Sequence, residues 1–353
     1  CPPGLAGRAT RSVHHPFCAM ETMHPHASVD IHAHFFPASF LELVADEGTA
    51  YGAALETSGK EGAAVLSVDG TAWPLESRIV DMEQRLAAMD AQGVDVHALS
   101  LTAPMVYWAD SELALKLSQA FNDAVVQAHQ HHPDRFIGFA MLPMNDPALA
   151  ARELERIAGA PGVRGLYMAT RVRERELSDD AYAGVFERAE ALGLPIFLHP
   201  IKVVEPERLK PFYLTNLVGN PTESAIAAAH LVFGGVLDRF PKLTICLPHA
   251  GGSFPYLIGR IHHGWEVRPE CAHLKRGPTE YLRRFYYDTV SHSAKALAYL
   301  IDLVGADRVM LGSDYCFDMG YERPVEVVGE HPGLSADDKQ LILGGNARAL
   351  LGL

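Results

Sequence analysis

The chain is predicted to be an α/β protein, a (β/α)8 TIM barrel with an insertion after its first strand. Three observations predict it: eight short β-rich runs, amphipathic helical stretches between them, and polar residues gathered at the ends of the first, fifth, sixth and eighth runs. A strand-then-helix alternation repeated eight times points to a closed parallel barrel, because each parallel connection needs a crossover element.

The runs are "SVDIHAH" (28–34), "VDVHALSL" (94–101), "RFIGFAML" (135–142), "VRGLYM" (163–168), "PIFLHP" (195–200), "LTICLP" (243–248), "RFYYDT" (284–289) and "RVMLGS" (308–313). Each is bounded by turn residues, as a short buried strand should be. Between them lie helical stretches such as "LESRIVDMEQRLAAMDAQG", "DSELALKLSQAFNDAVVQAHQHH" and "SDDAYAGVFERAEALG", several opened by a Ser or Asp cap and closed by Gly. About 40 residues (36–77) interrupt the rhythm after the first strand. A long βα insertion at a barrel mouth is a lid, a small accessory sheet or plain surface elaboration.

Residues 27–353 are therefore read as a single TIM-barrel domain carrying the insertion at 36–77. The stretch 1–26 has no apolar h-region and does not begin with Met, so it is expected to be a disordered leader or an over-extended start, with Met20 or Met23 the natural beginning. With 353 residues and 48% hydrophobic content, the chain can bury a large core. No apolar run approaches the roughly 18–20 residues of a membrane span. A net charge of −13 with no basic block excludes a nucleic-acid binder and favours a small-molecule partner. Five widely spaced cysteines, an odd number, fit a reducing compartment, so a cytoplasmic location is expected.

Residues i and i+2 of a strand point the same way, so His32 and His34 present two imidazoles to one point. Such a pair is weak evidence alone. His199 ends the fifth run, His249 follows the sixth and Asp314 follows the eighth, and a barrel brings all those ends to one face. His32, His34, His199 and Asp314 then make the ligand set of a Zn²⁺-type site with a position left for water; Mn²⁺ or another divalent ion is the alternative. His249 sits beside "AGGSFPY", where glycines allow substrate to approach the backbone, and reads as a general acid/base; a core histidine or a fifth ligand is the other reading. Asp314 shares that proton from its ligand position. Asp288, at the end of the seventh run, orients a ligating histidine or caps the barrel mouth.

"DIHAHFFP", "RLAAMDAQGVDVHALS", "NLVGNPTESAIAAAHLVFGGVLDRFPKL", "HAGGSFPYLIGRIHHGWEVRP" and "LGSDYCFDMGYE" together resemble the amidohydrolase-superfamily decarboxylases typified by 2-amino-3-carboxymuconate-6-semialdehyde decarboxylase. The resemblance runs from Val29 to Leu353. It implies a metal-dependent carboxy-lyase without an organic cofactor, acting on an unsaturated or aromatic carboxylic acid such as a ring-cleavage product. It also implies the same metal ligands (His32, His34, His199, Asp314), the same catalytic His249, and two arginines that hold substrate carboxylates. Arg260 matches the arginine that reaches a neighbouring subunit's site, which implies a homodimer or larger homo-oligomer; an ion pair within its own chain is the other reading. The insertion arginine has no match, and Arg78 is the nearest candidate, or else a helix-surface residue. Phe212 and Tyr213 stand where the family has aromatic residues, as a pocket wall or as packing. Two rivals are a hydratase or hydrolase of a related ring-cleavage product and, from another class, a non-catalytic barrel that binds a small acid.

Overall fold

A computed structural model describes residues 27–57 and 64–353; the leader expected over 1–26 lies outside the described residues. Eight strands follow one another around the barrel in sequence order: β1 (Val29–His34), β2 (Val96–Ser100), β3 (Phe136–Met141), β4 (Val163–Ala169), β5 (Ile196–His199), β6 (Ile245–Leu247), β7 (Phe285–Asp288) and β8 (Val309–Met310). Every neighbouring pair recorded is parallel. The ends meet through backbone bonds: Ile31 N donates to Leu311 O (2.9 Å), His34 N to Tyr315 O (2.7 Å) and Tyr315 N to His32 O (3.3 Å). The expected (β/α)8 barrel is what forms.

Every residue of β1, β2 and β3 is buried, because barrel strands are covered on both faces and carry side chains into both the interior and the helix layer. Phe139 of β3 and Phe197 of β5 stack at 3.8 Å across the intervening strand. Gly165 of β4 makes room for them: a Cβ there would lie 3.0 Å from the Phe139 ring and 2.9 Å from Pro195 O.

Two expected elements differ in extent. The stretch "LESRIVDMEQRLAAMDAQG" forms two helices, Ser77–Val80 and Met82–Gln92, because Asp81 is extended and its carboxylate caps the second helix through Glu83 N and Gln84 N. "RVMLGS" contributes only two residues of regular strand. Leu311 N turns to Ile342 O, and Asp314, at φ 61°, leaves the extended backbone altogether.

The insertion after β1 carries helix Ala38–Glu47 and an antiparallel sheet of Ala53–Thr57, Ala64–Val68 and Thr71–Leu75. Ala53, Leu66, Val68 and Leu75 are buried in the same hydrophobic cluster as the barrel strands, so the sheet is packed down rather than free-standing. No described helix is long and apolar enough to cross a membrane.

Candidate active site

The alternation of β1 aims Asp30, His32 and His34 to one side, and the strand ends bring His199 and Asp314 to them. One ligand atom from each of His32, His34, His199 and Asp314 lies within 4.8 Å of the others, and all four residues are buried. The three rings meet edge to face with centroids 4.8–5.2 Å apart.

Each ring is held by its Nδ1. That of His32 donates to Asp288 Oδ2 (2.7 Å) and that of His199 to Pro200 O (2.9 Å). Neither oxygen carries a proton to give, so both rings are protonated on Nδ1 and turn Nε2 to the centre, the atom each would offer to a metal. His34 Nδ1 lies 3.2 Å from Ser100 Oγ, whose hydroxyl reaches Ala33 O (3.3 Å). With that hydroxyl donating to Ala33, His34 too presents an Nε2 lone pair, 3.0 Å from Asp314 Oδ1. His32 Nε2 and His199 Nε2 are buried with no hydrogen-bond partner among the described residues. Buried imidazole nitrogens left without a partner and converging on a carboxylate are what a divalent cation satisfies, so the residues present fit a metal.

Electrostatics agree. Burial resists charge on His32, but Asp314 and the Asp288 hydrogen bond outweigh it and hold its pKa up at about 9. Burial pulls His34 down to about 4, and burial with the neighbouring rings pulls His199 well below the ordinary histidine value. Asp314, though buried, stays ionised because the charged His32 beside it holds it well below the usual carboxylate range. The site is a sink for positive charge.

Asp288 proves to be both an orienting group and a cap. Its carboxylate accepts from His32 Nδ1, His249 N (3.0 Å), Ala250 N (2.7 Å) and Val290 N (3.0 Å). It thereby pins His249 and Ala250, both left-handed at φ 53° and 55°. Gly312 of the β8 end permits the approach, since a Cβ there would lie 2.8 Å from Asp288 Cβ and 3.1 Å from His32 Cβ. His249 Nε2 comes to 3.7 Å from Asp314 Oδ2, and its Nδ1 has no partner among the described residues.

A cavity of about 480 Å³ opens beside this centre, lined by His249, Asp314, His292, Tyr256, Tyr299 and Asn220 among others. The remaining sequence candidates lie outside its wall. Arg78 spends its guanidinium on Glu76 (2.7 Å), Cys316 O (3.3 Å) and Glu322 (3.5 Å). Phe212 is 87% exposed and Tyr213 55% exposed, in a segment whose Leu217 does line the cavity. Arg260 is exposed on helix Phe254–Val267, one turn beyond the cavity-lining Tyr256.

Sequence reasoning missed three supports. Asp30 accepts from His32 N (2.9 Å), Ser313 N (3.1 Å) and Ser313 Oγ, fixing the turn that carries Asp314; its two-residue spacing from His32 was the available signal. Ser100, the last residue of β2, lay in plain view at a strand end. Arg85, buried beneath His34, left no signal that separates it from a surface arginine.

Comparison with known proteins places the chain among decarboxylases of similar fold. The chain is 35% identical over 332 residues to a 2-amino-3-carboxymuconate-6-semialdehyde decarboxylase of Dictyostelium discoideum, covering 92% of this chain and 91% of that protein. It superposes on 5-carboxyvanillate decarboxylase from Sphingomonas paucimobilis with a TM-score of 0.81 at 27% identity, over 93% of this chain and 99% of the other. A dihydroxybenzoic acid decarboxylase from Polaromonas sp. JS666, solved with bound manganese and the inhibitor 2-nitroresorcinol, matches with a TM-score of 0.76 at 27% identity, over 93% and 97% of the two chains. The amidohydrolase family profile matches residues 29–353, the whole span of barrel, insertion and converging strand ends, and the chain belongs to that family.

Proposed function

We propose that this chain is a metal-dependent decarboxylase that needs no organic cofactor, a carboxy-lyase acting on an aromatic or unsaturated carboxylic acid. The observation that carries the reading is the set of three inward Nε2 atoms and Asp314 opening onto a cavity beside the imidazole of His249. His32, His34, His199 and Asp314 are the proposed ligands, with Zn²⁺ as the expected ion and Mn²⁺, found in the Polaromonas relative, the alternative. A divalent ion bound there supplies Lewis acidity, polarising a substrate oxygen and drawing electron density from the conjugated system.

The chain's own residues do the rest. Tyr256 and Tyr299 line the cavity together with Leu217, Val290 and Leu300, an apolar wall suited to an aromatic or conjugated acid. His249 hands a proton to the carbon that bears the carboxylate. The electrons of the breaking carbon–carbon bond then return to the conjugated system as CO₂ departs. Asp314 Oδ2, 3.7 Å from His249 Nε2, is placed to orient that ring for the transfer.

No lysine or arginine lines the cavity, whereas Arg260 is exposed and has no ion pair among the described residues. Its helix also exposes Tyr256 (80%) and Val267 (58%). These features support a homodimer in which Arg260 of one copy enters the other's site, where its planar fork suits a carboxylate. A cytoplasmic location remains the expected setting, on the cysteine usage.

The relatives named above are decarboxylases, which favours CO₂ release over hydration by the same centre. Metal analysis of the purified protein, followed by CO₂ detection and product mass across a panel of muconates and hydroxybenzoates, tests the reading. Loss of the mass of CO₂ is expected. Addition of the mass of water, or a metal-loaded protein with no turnover anywhere in the panel, refutes it.

A further inference from the structure

Arg85 lies on helix Met82–Gln92, fully buried, with no carboxylate within ion-pair distance among the described residues. A guanidinium taken out of water without a counter-ion is costly and persists where it makes bonds that nothing else could make. Its bonds run to three elements that meet beneath the site: the end of β1, the helix Ser77–Val80 and β2. One Nη donates to the carbonyl of His34 and, at 3.4 Å, to Ile79 O. The other lies 3.4 Å from His97 Nδ1. The guanidinium also sits 4.7 Å above the ring of Tyr315 and 5.5 Å from that of Phe35. Tyr315 follows Asp314 and Phe35 follows His34 in sequence, so the one cation touches the chain immediately beyond two of the four candidate ligands.

The neighbouring bonds give that placement its meaning. His34 N donates to Tyr315 O (2.7 Å), so the peptide groups on both sides of His34 are held, one by the strand seam and one by Arg85. His97, receiving from Arg85 at Nδ1, carries its proton on Nε2, which faces Asp30 Oδ2 at 3.7 Å. Asp30 in turn holds the backbone of His32 and of Ser313. Burial and the Arg85 charge keep His97 neutral, consistent with that tautomer.

We propose that Arg85 is a positioning residue for the metal centre, which sets the separation of His34 from Asp314 by gripping the His34 carbonyl with its fork and the Tyr315 ring with its face. The inference rests on the metal-centre reading above. A lysine keeps the charge but cannot serve a carbonyl, an imidazole and an aromatic face at once. Groups that orient metal ligands typically contribute about 10- to 100-fold to metal affinity.

The test is Mn²⁺ titration of chelator-treated full-length protein, following loss of the free-ion EPR signal, for wild type, Arg85→Met and Arg85→Lys. Visible spectra of the Co²⁺-loaded forms report ligand geometry. Expected are a dissociation constant about 10- to 100-fold weaker in Arg85→Met, a smaller loss in Arg85→Lys, and altered Co²⁺ bands in both. A folded Arg85→Met that binds Mn²⁺ within threefold of wild type overturns the proposal, even if its melting temperature falls, because that is the mark of a structural role alone. Should Arg85→Met give no cooperative melt, Arg85→Lys decides: wild-type affinity and Co²⁺ spectrum overturn the proposal, and a weaker, shifted site supports it. Wild-type protein that binds neither ion overturns the metal-centre reading, and this inference falls with it.

Discussion

Asp288→Asn exchanges one oxygen for an amide nitrogen on a side chain whose two oxygens each accept two hydrogen bonds. Oδ2 serves His32 Nδ1 and His249 N, while Oδ1 serves Ala250 N and Val290 N. Asparagine has one acceptor oxygen, so in either orientation its NH₂ faces two donors. The residue is 1% exposed, and water cannot replace the lost partners. Stranding a buried donor costs about 1–3 kcal/mol, so two stranded donors cost about 2–6 kcal/mol of native stability. His32 can relieve one clash by moving its proton to Nε2, but that atom is the proposed metal ligand, and the stability regained is lost as metal affinity. The expected outcome is a lower melting temperature for the ion-free protein together with Mn²⁺ binding weaker by about 10- to 100-fold. Thermal melts and Mn²⁺ titration on the same preparation measure both. If melting temperature and affinity both match wild type, Asp288 neither orients His32 nor pins the His249 turn.

His32→Ala or His34→Ala is expected to lose metal and activity together, since either leaves three of four ligands; full occupancy in elemental analysis refutes the assignment. His249→Asn should keep metal and fold while turnover falls about 10²- to 10⁴-fold, whereas loss of metal would make His249 a ligand. Ion-free His32 keeps its proton to about pH 9 against an unperturbed 6.5, because Asp314 and Asp288 outweigh its burial. Its charge therefore stabilises the ion-free fold fully below pH 6.5 and no longer above about 9, and an incoming ion displaces that proton at neutral pH. Calorimetry in buffers of different ionisation heat should count about one proton released at pH 7.5, with Mn²⁺ affinity rising towards pH 9; a pH-independent affinity sinks this reading. Mixing inactive Arg260→Ala with inactive His249→Asn should restore part of the activity through hybrid dimers, and demonstrable subunit exchange with no recovery removes Arg260 from the neighbouring site.

The convergence of the candidate ligands was legible because it obeys two simple periodicities. Strand alternation puts His32 and His34 on one side, and the eightfold βα repeat gathers His199 and Asp314 at the same face. Asp288 was legible as two alternatives that turn out to be compatible, since a carboxylate has enough lone pairs to hold a side chain and a turn together. Arg85 was not legible. It lies four residues before Met89 on the buried face of its helix, but Leu86 fills an equally good apolar position, and no local rule prefers the arginine inward. The cavity wall was hidden for a related reason. Tyr256 and Tyr299 come from different helices, those that follow β6 and β7, so no local pattern places them on one wall.

The turn at His249 and Ala250 belongs to a wider pattern at the barrel mouth. His249, Ala250, His292 and Asp314 all hold φ between 53° and 61°, a region that favours glycine and costs other residues about 1–2 kcal/mol each. At His249, His292 and Asp314 glycine would relieve the backbone but delete the imidazole or the carboxylate. Each position is secured by an acceptor fixed elsewhere: His249 and Ala250 by Asp288, and His292 by the hydroxyl of Tyr321, which accepts from its N–H at 2.6 Å. The Asp314 turn is secured through Ser313, whose N–H and hydroxyl both donate to Asp30. Asp30 and Asp288 therefore secure the non-glycine bends at His249, Ala250 and Asp314. The strained turns place the reactive groups, and two buried carboxylates outside the ligand set make those turns affordable to the fold.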